Sequence, residues 1–364
     1  MITTAIIAEF NPLHKGHKYI IDKAREDTKA DYIVVLMSGD YVQRGEPALL
    51  NKHCRTQMAL DCGADLVIEL PMIYATASAA YFAEGAVRLL CGLGCINNLY
   101  FASEAGDIDI LKDASYTAGL PDSPNNILAR EYINALKKCV SNITPYTTAR
   151  IGSGYNSNEY NDIASATYIR NHFSENTIKA QIPEVCRPAL EEYLMTSGPV
   201  FANDYSDILY HTLIYMNTND AKYFDVYEDL ALKLTSYLND YTNYEDYIKV
   251  LKSKDITYSH ISRALIHIIL DITTADINFA KSKNHNLYAR LLGFKKGAAP
   301  LLGAIKQSSI VPVISKLADA HYLLDEDVYK LLNKEITASN LYNMLATKKR
   351  PCTHECTRPL IISD

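Results

Sequence analysis

Five short runs of almost unbroken apolar residues punctuate the first 170 positions: TTAIIAEF (3–10), DYIVVLMS (31–38), DLVIELP (65–71), NLYFAS (98–103) and a weaker YTTARIG (146–152). Near-continuous apolarity, in place of strict alternation, marks strands buried on both faces, as a parallel sheet requires. Helically spaced stretches lie between them, HKYIIDKARE, KHCRTQMALDCG, SAAYFAEGAVRLLCG and PNNILAREYINALKK. Gly63 and Gly92 stand where helix C-caps fall, and Pro124 fits a first turn. The βαβαβ order predicts a Rossmann-like α/β domain with a parallel sheet over residues 1–175. Beyond it, helical patterns follow one another: DYSDILYHTLIYMN, YEDLALKLTSYLND, YEDYIKVLKS, SHISRALIHIILDI, NLYARLLGF and DEDVYKLLNKEI. These predict an α-helical C-terminal domain over residues 176–364, with SIVPVIS (309–315) as a stray extended segment.

With 48% apolar and 21% charged residues, the chain has the composition of a soluble globular protein. The uncharged stretch of residues 70–82 is too short to span a bilayer. No Lys or Arg precedes the N-terminal apolar run, so it is no secretory signal and a cytoplasmic location is expected. The eight cysteines include no CxxC pair and read as reduced thiols. Cys352-Thr-His354-Glu-Cys356 lacks a second ligand pair, so no metal site is expected. The net charge of −6 leaves nucleic-acid binding to a local patch. Residues 277–318 supply one candidate: Lys281, Lys283, Arg290, Lys295, Lys296, Lys306 and Lys316, without a single Asp or Glu.

The chemistry concentrates at the end of the first run, where His14-Lys15-Gly16-His17 joins the first strand to the first helix. Gly16, lacking a Cβ, lets the backbone lie close to a nucleotide. His17 falls at the helix N-terminus, where free N–H groups and the dipole favour phosphate. His14 can place its ring on the same phosphate, so two imidazole donors meet charge growing on an α-phosphate under attack. Chance places H-x-G-H in roughly one chain in a hundred of this length, so its setting carries the weight. Downstream, Ser165 and Thr167 start a second helix and Arg170 follows; the hydroxyls can cap N–H groups or bind phosphate oxygens, which Arg170 would neutralise.

Several longer segments then make the pattern specific. Residues 7–17, Met37-Ser38-Gly39-Asp40-Tyr41-Val42-Gln43-Arg44-Gly45-Glu46-Pro47-Ala48, Asp65-Leu66-Val67-Ile68-Glu69-Leu70-Pro71 and Tyr81-Phe82-Ala83-Glu84-Gly85 together resemble the bacterial tRNA(Met) cytidine acetate ligases. Pro124-Asn125-Asn126-Ile127-Leu128 and the Ser165–Arg170 element fit the same pattern, and Tyr288-Ala289-Arg290-Leu291-Leu292-Gly293-Phe294 extends it more loosely. The resemblance implies activation of acetate with ATP to acetyl-adenylate and pyrophosphate. Transfer to the N4 amine of the wobble cytidine of elongator tRNA(Met) would follow. It also implies an ATP loop made of Ile7, Ala8, Glu9, Phe10, Asn11, Pro12, Leu13, His14, Lys15, Gly16, His17, Lys18, Tyr19 and Ile20. Ser165, Thr167 and Arg170 would complete the phosphate site, with Ala102, Ser103 and Gly154 bordering the nucleotide. Relatives usually carry Gly where Ala102 stands.

On this reading His14 and His17 stabilise in-line attack on the α-phosphate, while Lys15, Lys18 and Arg170 hold the polyphosphate with Mg²⁺. Neither histidine must act as a base, because acetate is already ionised at neutral pH. Gln43 and Arg44 could anchor acetate or the cytidine, or Arg44 could merely pair with Asp40 or Glu46; Asp40 could orient the cytidine amine. Lys281, Lys283, Arg290, Lys295 and Lys296 are the candidate RNA contacts. Two rival readings remain. One is a small-molecule adenylyltransferase of the pantetheine-phosphate or nicotinamide-mononucleotide type, which leaves the C-terminal half without a purpose. The other is a non-catalytic RNA-binding protein with a regulatory nucleotide site.

Overall fold

A computed structural model describes residues 1–112, 123–151, 164–216, 222–347 and 352–364. The strands, in chain order, are β1 (Thr3–Ala8), β2 (Tyr32–Ser38), β3 (Tyr41–Val42), β4 (Glu46–Pro47), β5 (Leu66–Leu70), β6 (Asn98–Ser103), β7 (Thr144–Ala149), β8 (Ala289–Lys295), β9 (Val313–Ile314) and β10 (Ile361–Ser363). The central sheet runs β10-β8-β5-β2-β1-β6-β7, with β9 also on β8, while β3 and β4 form a separate hairpin. Pairings are parallel from β5 through β7; only β8 lies antiparallel, against β5.

The five apolar runs of the first 170 residues correspond to β1, β2, β5, β6 and β7. In β1, β2, β5 and β6 the side chains alternate between two buried faces, whereas β7, at the sheet edge, has no fully buried residue, so the expectation of burial on both faces does not hold for the weakest run. Ala5, Ile7, Val34, Leu36, Leu66 and Ile68 face one layer of helices, which includes Ala79–Leu93 and Pro124–Lys138. Ile6, Ile33, Val35, Met37 and Val67 face the other, formed by α1 (Lys15–Thr28), α2 (Lys52–Asp61) and Arg187–Thr196.

The C-terminal half departs from the expectation of helices throughout. NLYARLLGF forms β8, not a helix, and enters the sheet beside β5. A nine-residue run is too short for periodicity to separate strand from helix, and here burial on both faces decided it: Ala289 through Leu292 are all buried. SIVPVIS does contain a strand, β9.

Charge follows this insertion into the interior. Lys52, fully buried, places its ammonium 2.7 Å from Glu69, 3.0 Å from Glu355 and 2.8 Å from the Ser339 hydroxyl. Arg290 lies between the same two carboxylates, at 3.0 Å and 2.6 Å. Burial and Arg290 work against the Lys52 charge, yet Glu355, Glu69 and Asp40 hold its pKa above the ordinary value. Each ion of such a group depends on the others, because a single buried charge left unpaired costs several kcal/mol.

Candidate active site

The carboxyl ends of the parallel strands β1, β2, β6 and β7 lie along one edge of the sheet, the edge at whose crevice doubly wound sheets bind ligands. The chain leaves β1 through Phe10, whose φ of 49° is rare for a non-glycine residue. Asn11 steadies that turn by accepting the Leu49 N–H at 2.8 Å. His14 then forms the N-cap of α1: its Nδ1 accepts the Gly16 N–H at 3.0 Å, and His17 Nδ1 accepts the His14 N–H at 3.2 Å. The two rings stack with centroids 3.9 Å apart, and Phe10 meets His17 edge-on.

Because both Nδ1 atoms accept, each neutral ring carries its proton on Nε2. Burial, followed by the nearby Arg150 charge, pushes the His14 pKa down to about 4. Burial, His14 and Arg150 hold His17 well below the usual range as well. His14 Nε2 is buried without a hydrogen-bond partner, the condition of a donor awaiting a ligand. The arrangement presents neutral N–H groups to an anion, with a helix N-terminus beneath them.

The second motif reaches the first across 159 residues. Ser165 caps the helix Ala166–Asn171 by accepting the Tyr168 N–H, and buried Ile169 anchors that helix against the second core layer. Arg170 donates from Nη1 to the Asn11 carbonyl at 2.7 Å and from Nη2 to Thr167 Oγ1 at 3.3 Å.

The other expected contacts divide. Ile7, Phe10, Asn11, Pro12 and Leu13 are buried framework, whereas Ala8, Glu9, Tyr19 and Ile20 are partly open and Lys15 is exposed. Lys18 pairs with Asp22 at 2.7 Å. Ala102 is partly open at the rim of β6, but the Ser103 hydroxyl is buried on Thr147 and the Gly106 N–H. Gly154 lies outside the described residues. Arg44 is exposed on the β3–β4 turn; its charge and that of Arg170 act on Glu46, whose carboxyl burial pushes upward.

Two assignments need correction. Asp40 is 3% exposed; it accepts the Lys52 N–H at 2.8 Å and faces the Lys52 ammonium, so it cannot orient a cytidine amine. Arg290 is 5% exposed and locked between Glu69 and Glu355, so its charge is matched within the protein and it is no surface contact for RNA. The remaining lysines do not form one face. Lys281 sits over the Tyr81 ring at 4.7 Å, Lys283 pairs with Asp325 at 2.8 Å, and Lys296 pairs with Asp364. Lys295 and Lys296 leave β8 beside Asp65, at the sheet edge opposite the crevice, because β8 runs antiparallel to β5.

Arg55 was not visible as a site residue. Its fully buried guanidinium donates to the carbonyls of Glu9, Ser38, Gly39 and Leu50, tying the ends of β1 and β2 to α2. Glu69, a carboxylate set among the apolar residues of LVIEL (66–70), was the sequence signal for the buried ions beside this site.

The chain can be compared with known proteins on this geometry. A family model described as HIGH Nucleotidyl Transferase matches residues 1–119 and 112–355. A tRNA(Met) cytidine acetate ligase of Acetivibrio thermocellus is 32% identical over 414 residues, covering 100% of both chains. One from a Thermoanaerobacter species is 35% identical over 403 residues, covering 98% of each. Among solved structures, Thermotoga maritima TmcAL bound with alpha-thio ATP superposes with a TM-score of 0.90 at 26% identity, covering 100% of both chains. Its apo form gives 0.91 at 25% identity with the same coverage.

Proposed function

The chain belongs to the tRNA(Met) cytidine acetate ligase family of HIGH nucleotidyl transferases, and on that premise we propose the following reaction for it. An acetate oxygen attacks the α-phosphorus of ATP, the α–β phosphoanhydride bond breaks, and pyrophosphate leaves. The N4 amine of the wobble cytidine of elongator tRNA(Met) then attacks the acetyl carbon, AMP leaves, and the amine loses its proton.

The observation that carries this reading is the neutral, stacked His14–His17 pair at the N-terminus of α1, with His14 Nε2 unpartnered. Negative charge accumulates on the α-phosphate during attack, and preorganised N–H donors stabilise it more than the ground state. Arg170, held on the Asn11 carbonyl, adds a fixed cation beside the same loop. Lys15 and Lys18 serve the outer phosphates; Lys18 must exchange Asp22 for the ligand. Glu9, Arg44 and Glu46, on the facing loops, are the groups nearest to hand for acetate and the amine, in place of Asp40.

Among the described residues no cluster of His, Cys, Asp and Glu could cage a metal ion. Mg²⁺ therefore enters this reading as part of the ATP complex, held mainly by phosphate oxygens and water. Residues 1–175 would conduct activation and residues 176–364 present the RNA, a division of labour within one shared sheet. Among the described residues no helix is long and apolar enough to cross a membrane. The enzyme would work in the cytoplasm with its tRNA. Acetate-dependent release of pyrophosphate from ATP tests the proposal. Release that ignores acetate but responds to a phosphorylated small acceptor would replace it with the adenylyltransferase reading.

A further inference from the structure

One cavity lies outside the crevice yet on the same edge of the sheet. It encloses about 400 Å³ and is lined by His53, Arg290, Lys316 and Arg358 over an apolar floor that includes Leu292 and Ile314. No Asp or Glu lines it. Arg290 pairs with Glu355 at 2.6 Å, and the same carboxylate lies 3.2 Å from His53 Nε2. Among the described residues neither Lys316 nor Arg358 forms an ion pair, and Arg358 Nε is buried without any hydrogen-bond partner. Two uncompensated cations lining one half-open cavity, one of them with an orphaned donor, call for an anion. A guanidinium fork beside an ammonium suits the several oxygens of a phosphate, and the apolar floor suits the flat face of a base.

The sheet register places this cavity relative to the crevice. Ala8 pairs with Met37, Met37 with Glu69, Glu69 with Arg290, and Arg290 with Ile314, so one rung crosses five strands. Four strand spacings amount to about 19 Å. A chain delivering its reactive base to the His14 end of that rung would have other phosphates within reach of the Ile314 end.

We infer that this cavity seats a backbone phosphate, with its nucleoside, of the tRNA substrate. The inference deepens the proposed function and rests on it. It also relocates the RNA contact from the lysines on Thr274–Ser282 and at the end of β8 to Lys316 and Arg358.

The test is the full-length double variant Lys316→Gln/Arg358→Gln, neither residue belonging to the ATP site. Affinity for tRNA should fall, and the slope of log affinity against log salt should become shallower by about 1–2, because up to two phosphate contacts release fewer counterions. KM for tRNA should rise about tenfold at unchanged kcat, the sign of lost uniform binding. Acetate-dependent pyrophosphate release should equal wild type, which also certifies the fold. If the double variant fails that check, exposed Lys316→Gln alone carries the test, with a slope change of about 1. Unaltered tRNA affinity and slope overturn the inference. So does an unaltered tRNA affinity accompanied by lost binding of AMP in equilibrium dialysis, which would assign the cavity to a free nucleotide. Failure of wild type to release pyrophosphate with acetate would instead strike the reaction itself.

Discussion

His14 performs two tasks that substitution can separate. Its Nδ1 caps the Gly16 N–H, and its Nε2–H points at no protein acceptor. Alanine removes both; asparagine restores a good N-cap but is too short to place an N–H where Nε2 lies. His14→Ala should therefore lose about 1 kcal/mol in urea unfolding, and His14→Asn should regain most of it. Both should lose about 10²–10³-fold in acetate-dependent pyrophosphate release, the usual loss for one preorganised donor. The pH profile gives a second arm. With a pKa of about 4, His14 is about 3% protonated at pH 5.5, whereas an ordinary histidine would be about nine-tenths protonated. The kcat/KM for ATP, which reports the free enzyme, should show no histidine limb near 6.5 once ionisation of ATP and acetate is corrected. The sign follows from burial: lowering the pH converts His14 to its disfavoured cation only near 4. A His14→Asn variant with wild-type turnover would reduce His14 to a cap. A limb near 6.5 that His14→Asn abolishes would show that the ring works as an ordinary titrating histidine.

Arg55→Met should cost more than about 3 kcal/mol in urea unfolding, since four buried carbonyls lose their donor; a wild-type midpoint would refute that accounting. Burial and Glu69 push Glu335 up to about 8, so the native protein holds a proton that the unfolded chain releases near 4.5. That penalty is absent below about 4.5 and grows as the pH rises towards 8. Glu335→Gln removes it: the variant should match wild type near pH 4.5 and exceed it by about 3 kcal/mol at pH 7, whereas a constant offset across the range would mean an ionised Glu335. Lys52→Met, which leaves Glu69 and Glu355 with Arg290 alone and takes the ammonium from Asp40, should lose about 3–5 kcal/mol in the same assay, and a loss under 1 kcal/mol would deny the coupling.

What the sequence disclosed follows from which interactions are local. β1, β2, β5 and β6 announce themselves because strands covered on both faces need continuous apolar runs, while the edge strand β7, half-open to solvent, gave the weakest signal. The His14–His17 pair and the Ser165–Arg170 element are each complete within six residues, so spacing alone exposed them. β8 was hidden because Arg290 interrupts its apolar run, and the reason for that arginine, Glu69, lies 221 residues away. Asp40 misled for a related reason. A carboxylate just past a strand's carboxyl end is where ligands are met, and only the fold shows that Lys52 has already claimed it. Arg55 acts entirely through main-chain carbonyls, which leave no trace in residue type.

The insertion of β8 also decides how activation and transfer can be separated experimentally. A fragment ending near residue 180 keeps every residue assigned to ATP, but it exposes the β5 edge along the whole β8 pairing. It also strips Arg290 and Glu355 from the buried group, leaving Lys52 with Glu69 and Asp40. An open hydrophobic edge together with stranded charges predicts aggregation, so the fragment should not yield a soluble, cooperatively unfolding protein. The separation must be made within the intact chain, and Arg170→Ala makes it. Among the described residues the Arg170 side chain hydrogen-bonds only Asn11 and Thr167, so the fold should persist. Formation of acetyl-adenylate should drop by about 10²-fold, as for loss of a fixed charge at a phosphate. Supplied with acetyl-adenylate, the variant should acetylate tRNA at a rate near that of wild type, because transfer breaks the acyl–phosphate bond without a polyphosphate to hold. A parallel loss in both assays would place Arg170 in the transfer step too and end the division of labour proposed between the ATP loop and the RNA-presenting half.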